Sequence, residues 1–334
     1  MLEERSSPLR GGVVGAGGLG KAAAAVLARK HEMRLTAICD RGGVLHHPEG
    51  VDPAGVVELP APGSVASLPG GRRSGDAVGD MIALARAGAV DGLFLALPNL
   101  PNEFFPAVVS RFLDAGVSLA YVDALKRTRA AELMFGLHDR MRSVRGTYLL
   151  GCGATPGLLT AAAVVAAQSF VEVESVRIRW GVGIANWDAY RATVREDIAH
   201  LPGYTVEKAQ AMTDAEVEAL LARTDGKLEL AEMEHADDLL LERVGVVDSA
   251  DRVTVGGVLD TRSAKKPVTT TMTLTGTTFE GRRGSHTFTL ADESSMAANV
   301  IGPALGYLKR ALWLKAHGLY GVFGSTEHMP MVAR

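Results

Sequence analysis

Lys126 is the residue of this sequence best placed for covalent chemistry. It stands in Val122-Asp123-Ala124-Leu125-Lys126-Arg127-Thr128, just past an apolar run, Val117 to Val122, that reads as a strand. A lysine adds to a carbonyl only as the neutral amine, and its ordinary pKa is about 10.4. Partial burial or the neighbouring Arg127 would lower that value. The plain alternative is an exposed lysine at a helix start. Glu234-His235-Ala236-Asp237-Asp238 offers His235 as a general acid or base, although a lone histidine is often structural. Arg191 and Arg195 lie four apart in the polar stretch Asn186 to His200 and share one helix face. They can grip a substrate carboxylate through bidentate forks, or simply pair with Asp188 and Glu196 on a solvated face. Cys152 has no histidine near it in sequence and reads as a buried small apolar residue. His46-His47 lacks a third ligand, so no metal is expected there.

A second constellation concerns phosphate. Gly15-Ala16-Gly17-Gly18-Leu19-Gly20 is a G-x-G-x-x-G, a weak signal alone among 38 glycines. Its context strengthens it. A strand ends at Val14, an alanine-rich helix follows Gly20, and Asp40 closes the next strand 20 residues on. Gly15 allows the tight turn, Gly17 lets backbone approach a pyrophosphate, and Gly20 allows close helix–strand packing. The helix N-terminus then faces the anion. Asp40 suits the ribose hydroxyls of NAD, whereas Arg41 suits the 2′-phosphate of NADP, so the expected cofactor is NAD(P)H / NAD(P)+ with the choice between NAD and NADP open. Leu97-Pro98-Asn99 ends a later strand and is expected beside the nicotinamide half. Gly153 and Ala154, in Gly151-Cys152-Gly153-Ala154-Thr155-Pro156-Gly157, are expected on the cofactor side. Thr155 reads as an N-cap and Pro156 as the first helical residue.

Positioning these groups needs a particular frame. Short apolar runs at Leu9–Val14, Leu35–Cys39, Gly92–Leu97, Val117–Val122 and Thr147–Cys152 alternate with helical patterns. That alternation predicts βαβ units and a doubly wound parallel sheet. Residues 42–75, rich in Gly, Pro and Ser, carry no clear pattern. Past residue 155 longer strands appear at Val173–Val182, Arg252–Leu259, Val268–Thr278 and Ser285–Leu290. Helices are expected at Asp188–His200, Asp214–Arg223, Leu228–Val244 and from Met296 to about His317. The prediction is an α/β protein, with a Rossmann domain over 1–155 and an α+β substrate and dimerisation domain over 156–334.

Composition narrows the function. The chain has 334 residues, 47% hydrophobic but only 5% aromatic, which calls for an aliphatic core. A formal net charge of -3 argues against nucleic acid or anionic lipid as partner. Two cysteines form no disulfide framework, MLEERSSPLR is no signal peptide, and no apolar run approaches ~18 residues. A cytoplasmic protein, free of membrane and assembling as a homo-oligomer, is expected.

Several segments together resemble one family. Ala96-Leu97-Pro98-Asn99-Leu100-Pro101-Asn102, Asp123 to Thr128, Gly151 to Thr160, Gly183 to His200, Asp260-Thr261-Arg262 and Met296 to Asn299 are similar to the BioU family. These are saccharopine-dehydrogenase-like proteins that act as single-turnover synthases in biotin biosynthesis. The Asp-Ala-Leu-Lys-Arg-Thr and Gly-Cys-Gly-Ala-Thr-Pro-Gly segments are the specific part; the Rossmann portion is generic. The resemblance implies that Lys126 attacks the 7-ketone of 8-amino-7-oxononanoate to form an imine. It further implies reduction by NAD(P)H, carboxylation of the substrate's own amine by carbon dioxide or bicarbonate, re-oxidation on the lysine side, and hydrolysis. Carboxylated 7,8-diaminononanoate leaves, and Lys126 remains as an aldehyde. Two other functions fit the same fold. One is a multi-turnover dehydrogenase of the saccharopine or homoserine kind; the other is a non-catalytic dinucleotide-sensing regulator.

Overall fold

The computed structural model describes residues 7–60, 63–99, 101–184, 187–292 and 296–334. Eight strands form the first sheet: β1 (Leu9–Val14), β2 (Met33–Asp40), β3 (Gly43–His46), β4 (Gly71–Arg73), β5 (Gly92–Leu95), β6 (Ala120–Asp123), β7 (Thr147–Leu150) and, near the end of the chain, β13 (Gly321–Gly324). Their order is β13-β7-β6-β5-β1-β2-β3-β4. All neighbours are parallel except at the β2–β3–β4 edge. Alternate residues of the central strands feed opposite faces. Leu93, Leu95, Tyr121 and Tyr148 pack into one core, and Phe94, Val122 and Leu149 into the other. Near-continuous apolar strands are what a parallel sheet covered on both sides requires. The unpatterned segment 42–75 holds the β3–β4 hairpin, a helix at Pro53–Glu58 and a tight turn at Val65–Ser67.

The second sheet contains β8 (Phe170–Gly183), β9 (Lys227–Leu230), β10 (Val253–Asp260), β11 (Thr270–Thr278) and β12 (Arg283–Leu290), in the order β12-β11-β8-β10-β9. Along β11, Met272 and Leu274 are buried between half-exposed threonines, the period-2 pattern expected for a one-sided sheet.

Two assignments made from the sequence change. Leu228–Val244, expected as one helix, is strand β9, a loop, and a short helix at Asp237–Arg243. Leu228 and Leu230 point inward while Lys227 and Glu229 point out, a strand period that overrides the helical reading. The second concerns the domain boundary. The helix Met296–Ala316 and β13 do not join the second sheet. The buried helix residues Ile301, Leu305, Leu308 and Leu314 share a core with Val13, Val122 and Leu149, and β13 extends the first sheet beside β7. Residues 156–334 are therefore not one structural unit. Among the described residues, no helix is long and apolar enough to cross a membrane.

Candidate active site

Two adjoining cavities lie at the carboxyl ends of the first sheet's strands. The first is a groove lined by Gly15, Gly17, Gly18, Leu19, Asp40, Arg41, Leu97 and Pro98, all expected there from the sequence. Gly15 has φ +109°, and a Cβ on it would fall 2.2 Å from the Ala96 carbonyl oxygen. A Cβ on Gly20 would fall 1.9 Å from the Gly15 oxygen, and one on Gly18 2.3 Å from the Tyr190 ring. Gly17 differs, since nothing lies within 4 Å of a Cβ built there. Three glycines are therefore demanded by the protein's own packing, and the fourth leaves room for something outside it. Gly17 also caps the helix Gly18–Leu27 without a side-chain partner, which leaves the first N–H groups facing the groove. These features fit a dinucleotide pyrophosphate.

Asp40 has a second duty. Its carboxylate accepts hydrogen bonds from Ser64 Oγ at 2.6 Å and from the N–H groups of Gly42 and Val65 at 2.8 Å each. It thus ties the 42–75 excursion to the end of β2, and a ribose would have to share it. Arg41 is exposed at the groove wall.

The second cavity holds Lys126. Apolar groups line much of it, among them Trp180, Val182, Ile184, Met233 and Leu259, and Leu19, Tyr190 and Thr193 border both cavities. The turn carrying Lys126 is clamped at several points. Below it, buried Asp123 accepts from Tyr148 Oη at 2.7 Å, Gly151 N–H at 2.7 Å and Leu125 N–H at 3.0 Å. Burial nonetheless pushes its carboxyl up to about 6. The Lys126 N–H donates to Asn99 Oδ1 at 3.1 Å, and its carbonyl accepts from Ala236 N–H at 2.7 Å. Asn99 thus positions the lysine rather than lining the glycine groove.

The lysine ammonium points at two acidic side chains of the helix Arg191–Ile198. Nζ is 2.8 Å from Asp197 Oδ1 and 3.5 Å from Glu196 Oε2, with both acids about 3% exposed. Burial by itself would lower the lysine pKa. The two carboxylates together outweigh it and hold the value above the ordinary one. The expectation that Arg127 or burial would free the amine is therefore corrected. Arg127 is turned away, 2.5 Å from Glu234 and 3.2 Å from His200 Nε2. Burial, then Arg127 and Lys126, pushes His200 down to about 4, so it is neutral.

His235 does line the Lys126 cavity, 2% exposed, with Nδ1 2.5 Å from Asp237 Oδ2 although off a hydrogen-bond line. Asp237 also accepts from Thr155 Oγ1 at 2.6 Å. Thr155 is not the N-cap expected. The Thr155–Pro156 bond is cis, the helix starts at Leu158, and Gly157 caps it, its N–H donating to Thr160 Oγ1. Gly153 and Ala154 line the Lys126 cavity rather than the glycine groove. Burial raises the Cys152 thiol well above its ordinary value, which suits an inert residue.

Arg191 and Arg195 are not brought into this cavity. Both pair with Asp214, and both lie over the Trp187 ring, at 5.1 and 5.8 Å. Asp197 sits two residues past Arg195, hence on the other side of the helix. Besides Lys126, Lys266 lines the cavity, its Nζ donating to Ala291 O at 2.7 Å. Sequence reasoning passed over Asp197 and Lys266, and placed Glu196 on a solvated face where the structure buries it beside Lys126. The one available signal was two adjacent acids inside an otherwise amphipathic helix. Asn186 and Leu100, quoted in the motifs, lie outside the described residues, as do the side chains of Asp188, Met296 and Ala297. Among the described residues, no three of His, Cys, Asp or Glu gather as metal ligands.

The fold is that of Rossmann-type dehydrogenases. A C. glutamicum DAP dehydrogenase in complex with DAP superposes with a TM-score of 0.57 at 17% identity, covering 96% of this chain and 94% of that one. An engineered D-amino acid dehydrogenase bound to NADP+ gives 0.55 at 16% identity with the same coverage. No family model matches the chain. A curated relative from Haloferax mediterranei, "(S)-8-amino-7-oxononanoate synthase BioU", is 43% identical over 346 aligned positions, covering 95% of this chain and 98% of the relative. The chain belongs to the BioU family.

Proposed function

We propose that this protein is the biotin-biosynthesis enzyme that converts 8-amino-7-oxononanoate to carboxylated 7,8-diaminononanoate, with Lys126 as nucleophile and nitrogen donor. The observation that carries the reading is the placement of Lys126. It is a half-buried lysine in a largely apolar cavity that shares Leu19, Tyr190 and Thr193 with the glycine groove. The relative's name carries the same metabolite.

In this reading Gly15, Gly17, Gly18, Leu19 and Gly20 hold the pyrophosphate of NAD(P)H or NAD(P)+. Asp40 and Arg41 face its adenosine end, and Leu97 and Pro98 line its path toward Lys126. When bound, the dinucleotide supplies a hydride and takes one back, so the net reaction transfers nitrogen without net oxidation. The aliphatic chain of the ketone lies along Trp180, Val182, Ile184, Met233 and Leu259. Its tail carboxylate pairs with Lys266, in place of the Arg191 and Arg195 expected from the sequence. A carboxylate removed from water needs such a partner. His235, which lines the same cavity beside Asp237, serves as an acid or base of the reaction. Carbon dioxide or bicarbonate supplies the carboxyl group, and the chain acts in the cytoplasm as a homo-oligomer.

The test is stoichiometry. With ketone, NAD(P)H and bicarbonate, wild-type protein releases no more than one product per chain, and peptide mapping finds an aldehyde at position 126. Lys126→Arg keeps the charge but offers no nucleophilic amine, and makes no product. Sustained turnover with Lys126 intact would refute the sacrificial mechanism in favour of an ordinary dehydrogenase.

A further inference from the structure

The cluster around Lys126 has an unequal charge count. Two cations, Lys126 and Arg127, face three carboxylates, Glu234, Glu196 and Asp197. Arg127 is taken up by Glu234 at 2.5 Å. His200 also faces the cluster, and His235 lies across the cavity beside Asp237. Lys126 is thus the cation within ion-pair distance of two buried acids, with Arg127 and His235 acting on Glu196 only from farther off, and two like charges in such a site do not both persist. The two acids are not equivalent. Asp197 Oδ1 accepts a hydrogen bond from Nζ at 2.8 Å, whereas Glu196 stands back at 3.5 Å and its buried Oε1 has no hydrogen-bond partner among the described residues.

We propose that Asp197 takes the proton from Lys126 when the ketone binds and returns it to the departing oxygen, while Glu196 stays a neutral carboxylic acid. This rests on the reading of Lys126 as the nucleophile. In the resting state the pair is ammonium and carboxylate. A ketone closing the cavity removes water, which disfavours separated charges, so one N–H bond breaks and one O–H bond forms on Asp197. The nitrogen lone pair then forms the bond to the carbonyl carbon, and a nitrogen proton moves to the former carbonyl oxygen. Asp197 gives its proton back to that hydroxyl, which leaves as water as the protonated imine forms. Ammonium, carboxylate and ketone thus become iminium, carboxylate and one water, with no proton exchanged with solvent. Burial raises the Glu196 carboxyl above its ordinary value even with Lys126 beside it, the direction that favours the neutral acid.

The assignment separates from the identity of the substrate. A pulse of acetic anhydride, followed by peptide mapping at Lys126, reports the amine's nucleophilicity with no ketone present. At pH 8, Asp197→Asn should label at least tenfold faster than wild type. Glu196→Gln, an amide for a neutral acid, should differ from wild type by less than threefold. If Glu196→Gln accelerates labelling as much as Asp197→Asn, Glu196 is charged as well and the proposal fails. A second arm needs only wild-type protein. Adducts of 8-amino-7-oxononanoate at Lys126, trapped by borohydride quench, should form at a rate constant within twofold from pH 6.5 to 8.5. A rate rising tenfold per pH unit would mean that the proton goes to water, overturning the internal transfer. If labelling separates the variants as stated but no ketone adduct forms at any pH, the proposed substrate is wrong and the resting charge assignment stands.

Discussion

Replacing Lys126 should weaken the fold as well as end the chemistry, and the size of that effect follows from the site. Lys126→Met removes the cation and leaves Asp197 and Glu196, each about 3% exposed, without it. Removing one partner of a buried ion pair costs about 3–5 kcal/mol, because the other charge stays out of water. Urea unfolding followed by circular dichroism measures the loss at pH 8. The deficit should shrink at lower pH. Burial already raises the Glu196 carboxyl with Lys126 present, and in the variant that cation no longer opposes it, so the folded protein binds more protons than the unfolded chain. Stability relative to wild type therefore falls as pH rises and recovers as the acids take up protons. Lys126→Arg, which keeps a cation near the acids, should lose much less. Equal stability of wild type and Lys126→Met at both pH 5 and pH 8 would show that the pair is not buried as described. A purely catalytic reading of any Lys126 variant would then be safe.

Three further outcomes follow from the structure. Gly17→Val should fold normally, since its Cβ meets nothing within 4 Å, yet lose at least tenfold in NAD(P)H affinity by fluorescence titration. Gly15→Ala should destabilise the protein instead, because the added Cβ meets the Ala96 carbonyl at 2.2 Å and φ is +109°. Asp123→Asn should remove a pH dependence. The wild-type carboxyl sits at about 6, roughly two units above its unfolded value, so wild type should lose on the order of 3 kcal/mol relative to the variant as pH rises from 4 to above 6. A flat difference in unfolding free energy across that range would place the charge of Asp123 elsewhere.

What the sequence made legible was mostly local. The glycine turn could be read because its spacing between a strand and an alanine-rich helix is a local pattern, although Gly15 and Gly18 answer to the distant Ala96 and Tyr190, and the strand carrying Val122 could be read from its apolar run. The return of Met296–Ala316 and β13 to the first sheet could not. An amphipathic helix shows that one face is buried, but not which sheet buries it, and here the partners Val13, Val122 and Leu149 lie far back in the chain. The strand Lys227–Leu230 was missed for a related reason. A four-residue alternation is too short to outweigh the helix former run that follows, and only pairing with β10 decides it.

The site divides along the same line. Lys126 was legible because the end of a parallel strand has a fixed relation to the ligand crevice. Its protonation was not, because the groups that control it come from residues 71 and 70 positions away, brought in by one face of a helix. The arginines of that helix drew attention by their i, i+4 spacing, yet the spacing says only that they share a side. Trp187 and Asp214 lie on that side and occupy both, which turns Asp197 toward the lysine. A cation beside Lys126 in sequence thus has little say over its amine, since successive residues past a strand end point in different directions. Lys126 turns to Asp197 and Arg127 to Glu234. Under the proposed function, the lysine that attacks the ketone is in this way stored as an ammonium beside the carboxylate that takes its proton. In that mechanism the cost of making it reactive falls when the ketone fills the cavity, and the same carboxylate then returns the proton to the leaving oxygen.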